Sequence, residues 1–203
     1  MPRFLSPGVF LREVPANAHP IHGDGTNTTC FLGQLNGGNV PVDVPVVVTS
    51  FSDFVQRYGQ NIDHASEPFA AAIRGFFDNG GRRAYVVRIA SDASTLSDAD
   101  VAATEDIEGI SLIACPGMTD VASHEVLISH CERRADRFAV LDTPPEVTNV
   151  NDIRRLAPLG GARPRDAHGG VAAAYAPWVD VATSSDGSTL RIGPSGHVCG
   201  AFA

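Results

Sequence analysis

Short apolar runs take turns with helix-patterned segments along residues 29–141, and few folds accept that order. Residues 29–35, 44–49, 84–89, 110–114 and 138–141 read as strands. Between them, Ser50 is placed to cap a short helix over 52–58, with Asp53 three residues on to complete a capping box and Gly59 to end it. Ser66 is expected to cap the next helix, with Pro68 near its first turn, where a missing N–H costs nothing. Phe69, Ile73, Phe76 and Phe77 form one apolar stripe along that helix, and Asn79-Gly80-Gly81 stops it. Residues 97–103 read as a short helix, and 121–134 as a longer one with Val121, Leu127, Ile128 and Cys131 along one side. A helical turn is expected over 151–156 and an extended run over 172–181. Strands joined through helices predict an α/β fold, a mostly parallel sheet covered by helices.

The amino terminus does not join this pattern. Gly8, Val9, Phe10, Leu11, Arg12, Glu13 and Val14 read as a strand bracketed by Pro7 and Pro15, and a polar, kinked stretch over 16–28 separates them from the rest. The reading is therefore a strand arm and tether over 1–28 and an α/β body over 29–203. A strand on such a tether either folds back on its own domain or adds itself to the sheet of another chain.

Composition removes several classes of chemistry. All 15 basic residues are arginine, which excludes Schiff-base lysines, pyridoxal phosphate attachment and the phosphate-loop lysine. The net charge of −8 argues against a nucleic-acid partner. Cys30, Cys115, Cys131 and Cys199 are scattered without a C-x-x-C pair, so buried reduced thiols are expected in place of a zinc ribbon or disulfide framework. No stretch approaches the ~20 apolar residues that span a bilayer, and the first residues lack a signal-peptide pattern. The reading is assembly in the cytoplasm with no direct membrane insertion.

The individual motifs carry little catalysis. His124-Glu125 resembles the start of a zincin motif, but the position four after His124 is Ile128, and His130 falls on another face. Gly193-Pro194-Ser195-Gly196-His197 resembles a nucleophile elbow but has His where the last glycine is required; a Gly/Pro turn opening a carboxy-terminal helix explains it better. Cys131 sits on the apolar stripe, so its neighbour His130 does not make it a thiolate. Cys115-Pro116-Gly117 follows a strand without any G-x-G-x-x-G and reads as a tight turn. Arg82 and Arg83 follow a helix carboxyl end, which attracts cations and repels phosphate. No catalytic residue, metal or cofactor is expected. The rival readings are a small-molecule α/β enzyme using Cys115 or Ser195 and an adaptor that assists assembly.

Several segments together resemble one family. These are Phe4-Leu5-Ser6-Pro7-Gly8-Val9-Phe10, Val47-Val48-Thr49-Ser50-Phe51, and Arg74-Gly75-Phe76-Phe77-Asp78-Asn79-Gly80-Gly81-Arg82-Arg83 with Tyr85-Val86-Val87-Arg88. Ala114-Cys115-Pro116-Gly117, His130-Cys131-Glu132, Asp136-Arg137-Phe138-Ala139-Val140-Leu141-Asp142 and Pro194-Ser195-Gly196-His197-Val198-Cys199-Gly200 continue in the same order. The chain thus resembles the amino-terminal portion of contractile tail sheath proteins, found in phage tails, R-type bacteriocins and extracellular contractile injection systems. The resemblance implies a non-enzymatic structural subunit: hexameric rings stacked around an inner tube, bounded by baseplate and tail terminator proteins, and contracting to drive the tube through a target envelope. It implies that Gly8 to Val14 form an inter-subunit arm. It also implies a further carboxy-terminal, tube-facing portion past the last motif, so that this chain is a shortened paralogue or a piece of a longer sheath protein. Arg74, Arg82, Arg83, Arg133, Arg134 and Arg137 are the cations expected to pair with acids of neighbouring subunits.

Overall fold

A computed structural model of the chain describes residues 28–36, 38–59, 67–149, 151, 167–182 and 188–203. The arm expected at residues 8–14, its tether up to residue 27, and all but Asn151 of the turn expected over 151–156 lie outside these residues.

The body is built on a six-stranded sheet ordered β2-β3-β1-β4-β5-β6. The strands are β1 (Thr28–Gln34), β2 (Val46–Val48), β3 (Ala84–Ile89), β4 (Ile110–Ala114), β5 (Phe138–Asp142) and β6 (Ala172–Tyr175). Every neighbouring pair is parallel except β2 with β3. The α/β expectation holds, with one antiparallel edge strand. Because β1 and β4 are neighbours although β3 intervenes in the chain, connections leave in opposite directions from the crevice at their carboxyl ends.

Side chains alternate across the sheet, so each face has its own core. Phe31, Val86, Ala114 and Val140 pack beneath α1 (Phe51–Tyr58), α2 (Pro68–Asp78) and α5 (Ser195–Phe202). Cys30, Val87, Ile113 and Leu141 pack beneath α3 (Asp98–Ala102) and α4 (Val121–Arg134). The stripe expected on α2 is the one buried: Phe69, Ile73 and Phe76 are inside, with Phe77 half-buried against them. Leu127, Ile128 and Cys131 likewise form the buried side of α4.

The helix caps follow local chemistry. Ser50 Oγ accepts the Asp53 N–H at 3.0 Å, while Asp53 Oδ2 accepts the Thr49 N–H at 3.1 Å, one residue earlier than a capping box requires. Two expectations need correcting. The cap of α2 is Glu67, without a side-chain capping bond, and Pro68 takes the first helical position; Ser66 lies outside the described residues. The extended run over 172–181 is two strands, because Pro177 has no N–H to give to a ladder. After it, β7 (Val179–Ala182) leaves the main sheet and pairs antiparallel with β8 (Thr189–Ile192) in a separate two-stranded ribbon.

Candidate functional site

The segments that carry the family resemblance come from distant parts of the chain, and the fold brings several of them to one place. Asp142 ends β5 at the carboxyl edge of the sheet, and its side chain is 1% exposed. Its Oδ1 accepts the Ser195 N–H at 2.8 Å, and its Oδ2 accepts the Ser195 hydroxyl at 2.8 Å and the Gly117 N–H at 2.9 Å. The turn after β4, the end of β5 and the first turn of α5 are thus tied to one carboxylate. Burial raises the Asp142 pKa, and the bonds from Gly117 and Ser195 work against that rise. In α/β folds this corner, beside a helix amino terminus, is where anionic ligands bind; here the chain's own carboxylate fills it.

The same corner holds a close packing of α2 against α5. A Cβ on Gly196 of α5 would lie 2.2 Å from the Ala72 carbonyl oxygen of α2, and one on Gly75 of α2 would lie 2.4 Å from the His197 ring. The Arg74-Gly75-Phe76 and Pro194 to Gly200 segments are therefore in contact, and their glycines set the spacing. Neither expected nucleophile is built for catalysis. Ser195 is fully buried, its hydroxyl donates to Asp142, and among the described residues no histidine is a hydrogen-bond partner. Burial, reinforced by Asp142, pushes the Cys115 thiol far above its ordinary pKa, so it is no thiolate at neutral pH. Cys131 is buried with its pKa pushed up to about 12, as a core cysteine should be. No three metal-binding side chains come together among the described residues.

Beside the Asp142 corner, a cleft of about 370 Å³ opens at the carboxyl ends of β1 and β4. Gln34, Asn36, Glu67, Met118 and Trp178 are among the residues that line it. In the sequence Asp142 is only the end of a motif, and Glu67 and Trp178 stand in none. An acid closing an apolar strand is the signal that points to Asp142. Trp178 shows none, because its place depends on the break at Pro177.

The arginines expected at subunit contacts have different fates. Arg82 and Arg83 are exposed just before β3, at the amino edge of the sheet. Arg83 lies over the Tyr85 ring at 5.6 Å and donates to its hydroxyl at 3.2 Å. Arg74 lies over Phe51 at 5.9 Å and 3.5 Å from Asp78; Arg133 is 3.8 Å from Glu105, and Arg134 is 2.6 Å from Asp136. Arg137 departs from the expectation. It is 4% exposed and donates to the Thr104 and Ile107 carbonyls at 3.1 Å each, to Asp136 Oδ1 at 2.8 Å and to His130 Nε2 at 3.1 Å. These bonds direct the guanidinium to groups of its own subunit.

No sequence-family profile matches the chain, and no curated protein matches it in sequence. Comparison of folds is decisive. The helical sheath of the anti-feeding prophage in its contracted state matches 96% of this chain at a TM-score of 0.59 and 21% identity. The sheath complex of the PVC extracellular contractile injection system, also contracted, matches 98% at 0.62 and 20% identity. A chain from the contracted anti-feeding prophage baseplate matches 98% at 0.66 and 18% identity. The chain has the fold of contractile sheath proteins. It spans about half the length of each, 50% of both sheath chains and 54% of the baseplate chain. The sheath-like fold accounts for the ordered motifs: those that meet at Asp142 and along α2–α5 are the segments that hold the body together.

Proposed function

We propose that this protein is a structural, non-enzymatic subunit of a contractile sheath in a phage tail or phage-tail-like particle. One observation carries the proposal: nearly the whole chain follows the fold of subunits solved within contracted sheaths. In this reading copies assemble in the cytoplasm as stacked hexameric rings around an inner tube, between baseplate and tail terminator proteins. Contraction drives the tube through a target envelope. The reading requires no cofactor, no nucleic acid and no insertion into a membrane; among the described residues no helix is long and apolar enough to cross one.

Residues 8–14 act as the inter-subunit arm, adding a strand to a neighbour's sheet so that rings stay joined while bodies rotate. Arg74, Arg82, Arg83, Arg133 and Arg134 supply cations at the contacts formed on contraction. Bodies rotating outward gain charge-paired and apolar area, and that gain drives the shortening. The enzyme reading loses ground because Cys115 and Ser195 are both buried, one as a thiol and the other as a donor to Asp142.

Removing residues 1–15 from the full-length protein tests the arm. Electron microscopy should show that extended sheaths no longer form, with only isolated bodies or short stacks remaining. Sheaths of normal length and stability without those residues would defeat it.

A further inference from the structure

We infer that the cleft at the carboxyl edge of the sheet is a socket for an arginine side chain of a second copy, and that Arg82 is the residue it receives. The inference rests on the sheath reading in that it takes the occupant to be another copy of this chain.

The cleft has the chemistry of a guanidinium site. Its lining contains the Glu67 carboxylate and the Trp178 indole and no basic residue. Asn36 Nδ2 donates to Glu67 Oε1 at 2.8 Å, which fixes the carboxylate while Oε2 makes no hydrogen bond among the described residues. Trp178 Nε1 donates to the Thr143 carbonyl at 2.6 Å, which fixes the indole of this half-buried lining residue. Behind the wall, Asp142 bonds to the lining residue Gly117 and adds a second negative charge. A flat cation that stacks on an aromatic face and pairs with a carboxylate suits Trp178 and Glu67 together. At about 370 Å³ the cleft is large enough to admit such a side chain.

The complementary group stands at the opposite edge. β1 and β3 run parallel with Thr29 beside Ala84 and Gln34 beside Ile89, so Arg82 and the cleft lie roughly 20 Å apart along the strand direction. Arg82 is exposed and makes no hydrogen bond or ion pair among the described residues, whereas its neighbour Arg83 is held by Tyr85. A contact between the cleft of one copy and the Arg82 edge of the next joins two different surfaces, so it repeats head to tail instead of closing into a two-fold pair. A sheath that grows along one axis needs contacts of that kind.

Trp178 is the only tryptophan in the chain, so its fluorescence reports on the cleft alone. Emission of the 203-residue chain is followed from about 1 µM to about 1 mM, the range in which a modest contact saturates. The inference predicts that emission shifts with concentration as the indole is covered. R82E should weaken the apparent association at least about tenfold, E67Q should weaken it less, and the charge swap E67R/R82E should restore much of it. Matching thermal melts exclude misfolding, and the restored swap shows independently that both variants fold. Emission that ignores concentration, or a shift that persists undiminished in R82E, overturns the inference, whatever small molecule or other segment is then found to enter the cleft. Micrographs of the same samples report on the sheath reading separately. Tubes with an unresponsive Trp178 leave that reading standing and remove the socket, and a responsive Trp178 without ordered polymers does the reverse.

Discussion

Asp142 and Arg137 are both buried, at opposite ends of the same sheet, and the protein handles the two charges in opposite ways. Asp142 has no cation beside it among the described residues; three neutral donors from Gly117 and Ser195 satisfy it. Arg137 has a counter-ion, Asp136, itself 38% exposed, and otherwise gives its protons to two backbone carbonyls and a histidine. The carboxylate joins residues 117, 142 and 195, far apart in the chain, so it closes the fold around α5. The guanidinium joins residues 104–107 to 130–137, so it trims two neighbouring turns. Asp142 therefore bears on whether the carboxy-terminal helix is held at all, and Arg137 on how well one edge is finished.

Replacing Asp142 by Ala should show the largest effect, because it leaves two N–H groups and a hydroxyl buried without an acceptor. Urea unfolding should record a loss of about 4 kcal/mol. A loss below about 1 kcal/mol would mean that water replaces the carboxylate, and the contrast between the two ends would collapse.

The Arg137 end carries the sharper pH signature. Arginine only donates, so His130 Nε2 must accept from it, and the ring is neutral with its proton on Nδ1, 3.7 Å from Glu105 Oε2. Burial first, then Arg137, lowers the His130 pKa from 6.5 to about 4. Between those values the unfolded chain binds a proton that the folded chain refuses, so stability falls as pH drops through the window and is complete above about 6.5. The loss should reach about 3 kcal/mol by pH 4, and His130→Gln should remove most of that slope in pH-dependent unfolding. Asp136 adds to the loss lower down. Its bond from Arg137, chiefly, holds its pKa to about 2, so its contribution disappears as pH falls from its ordinary value towards that one. A slope that survives in His130→Gln would place the titration elsewhere.

Much of the body was legible in the sequence because the local signals agreed. The α2 stripe, the Ser50 cap, the Asn79-Gly80-Gly81 stop and the apolar strands each follow from period and turn chemistry acting over a few residues. β8, the small ribbon and the break at Pro177 were not, since short exposed strands of alternating small and polar residues show no strong period. Nothing in the sequence marks Arg137 as buried, because exposure cannot be read from a charge in a motif. The Gln34, Asn36, Glu67 and Trp178 cleft was invisible for a related reason: its walls come from strand ends and a helix start that only the sheet order brings together.

The smallest of these effects separates a fold-holding serine from a nucleophile. Ser195→Ala removes one of the three donors to Asp142 while the Ser195 backbone N–H remains, so stability should fall by about 1 kcal/mol, read from the same urea curves. Assembly should be unchanged. A variant as stable as the parent but defective in function would reopen the case for Ser195 chemistry.

Composition of the native particle tests the sheath assignment most directly. Tail-like particles purified by sedimentation from producing cells, and analysed by quantitative mass spectrometry, should contain this chain as one of their most abundant components, in a whole number of copies per hexameric ring. Finding it only in the soluble fraction, as a monomer absent from every particle, would contradict the account.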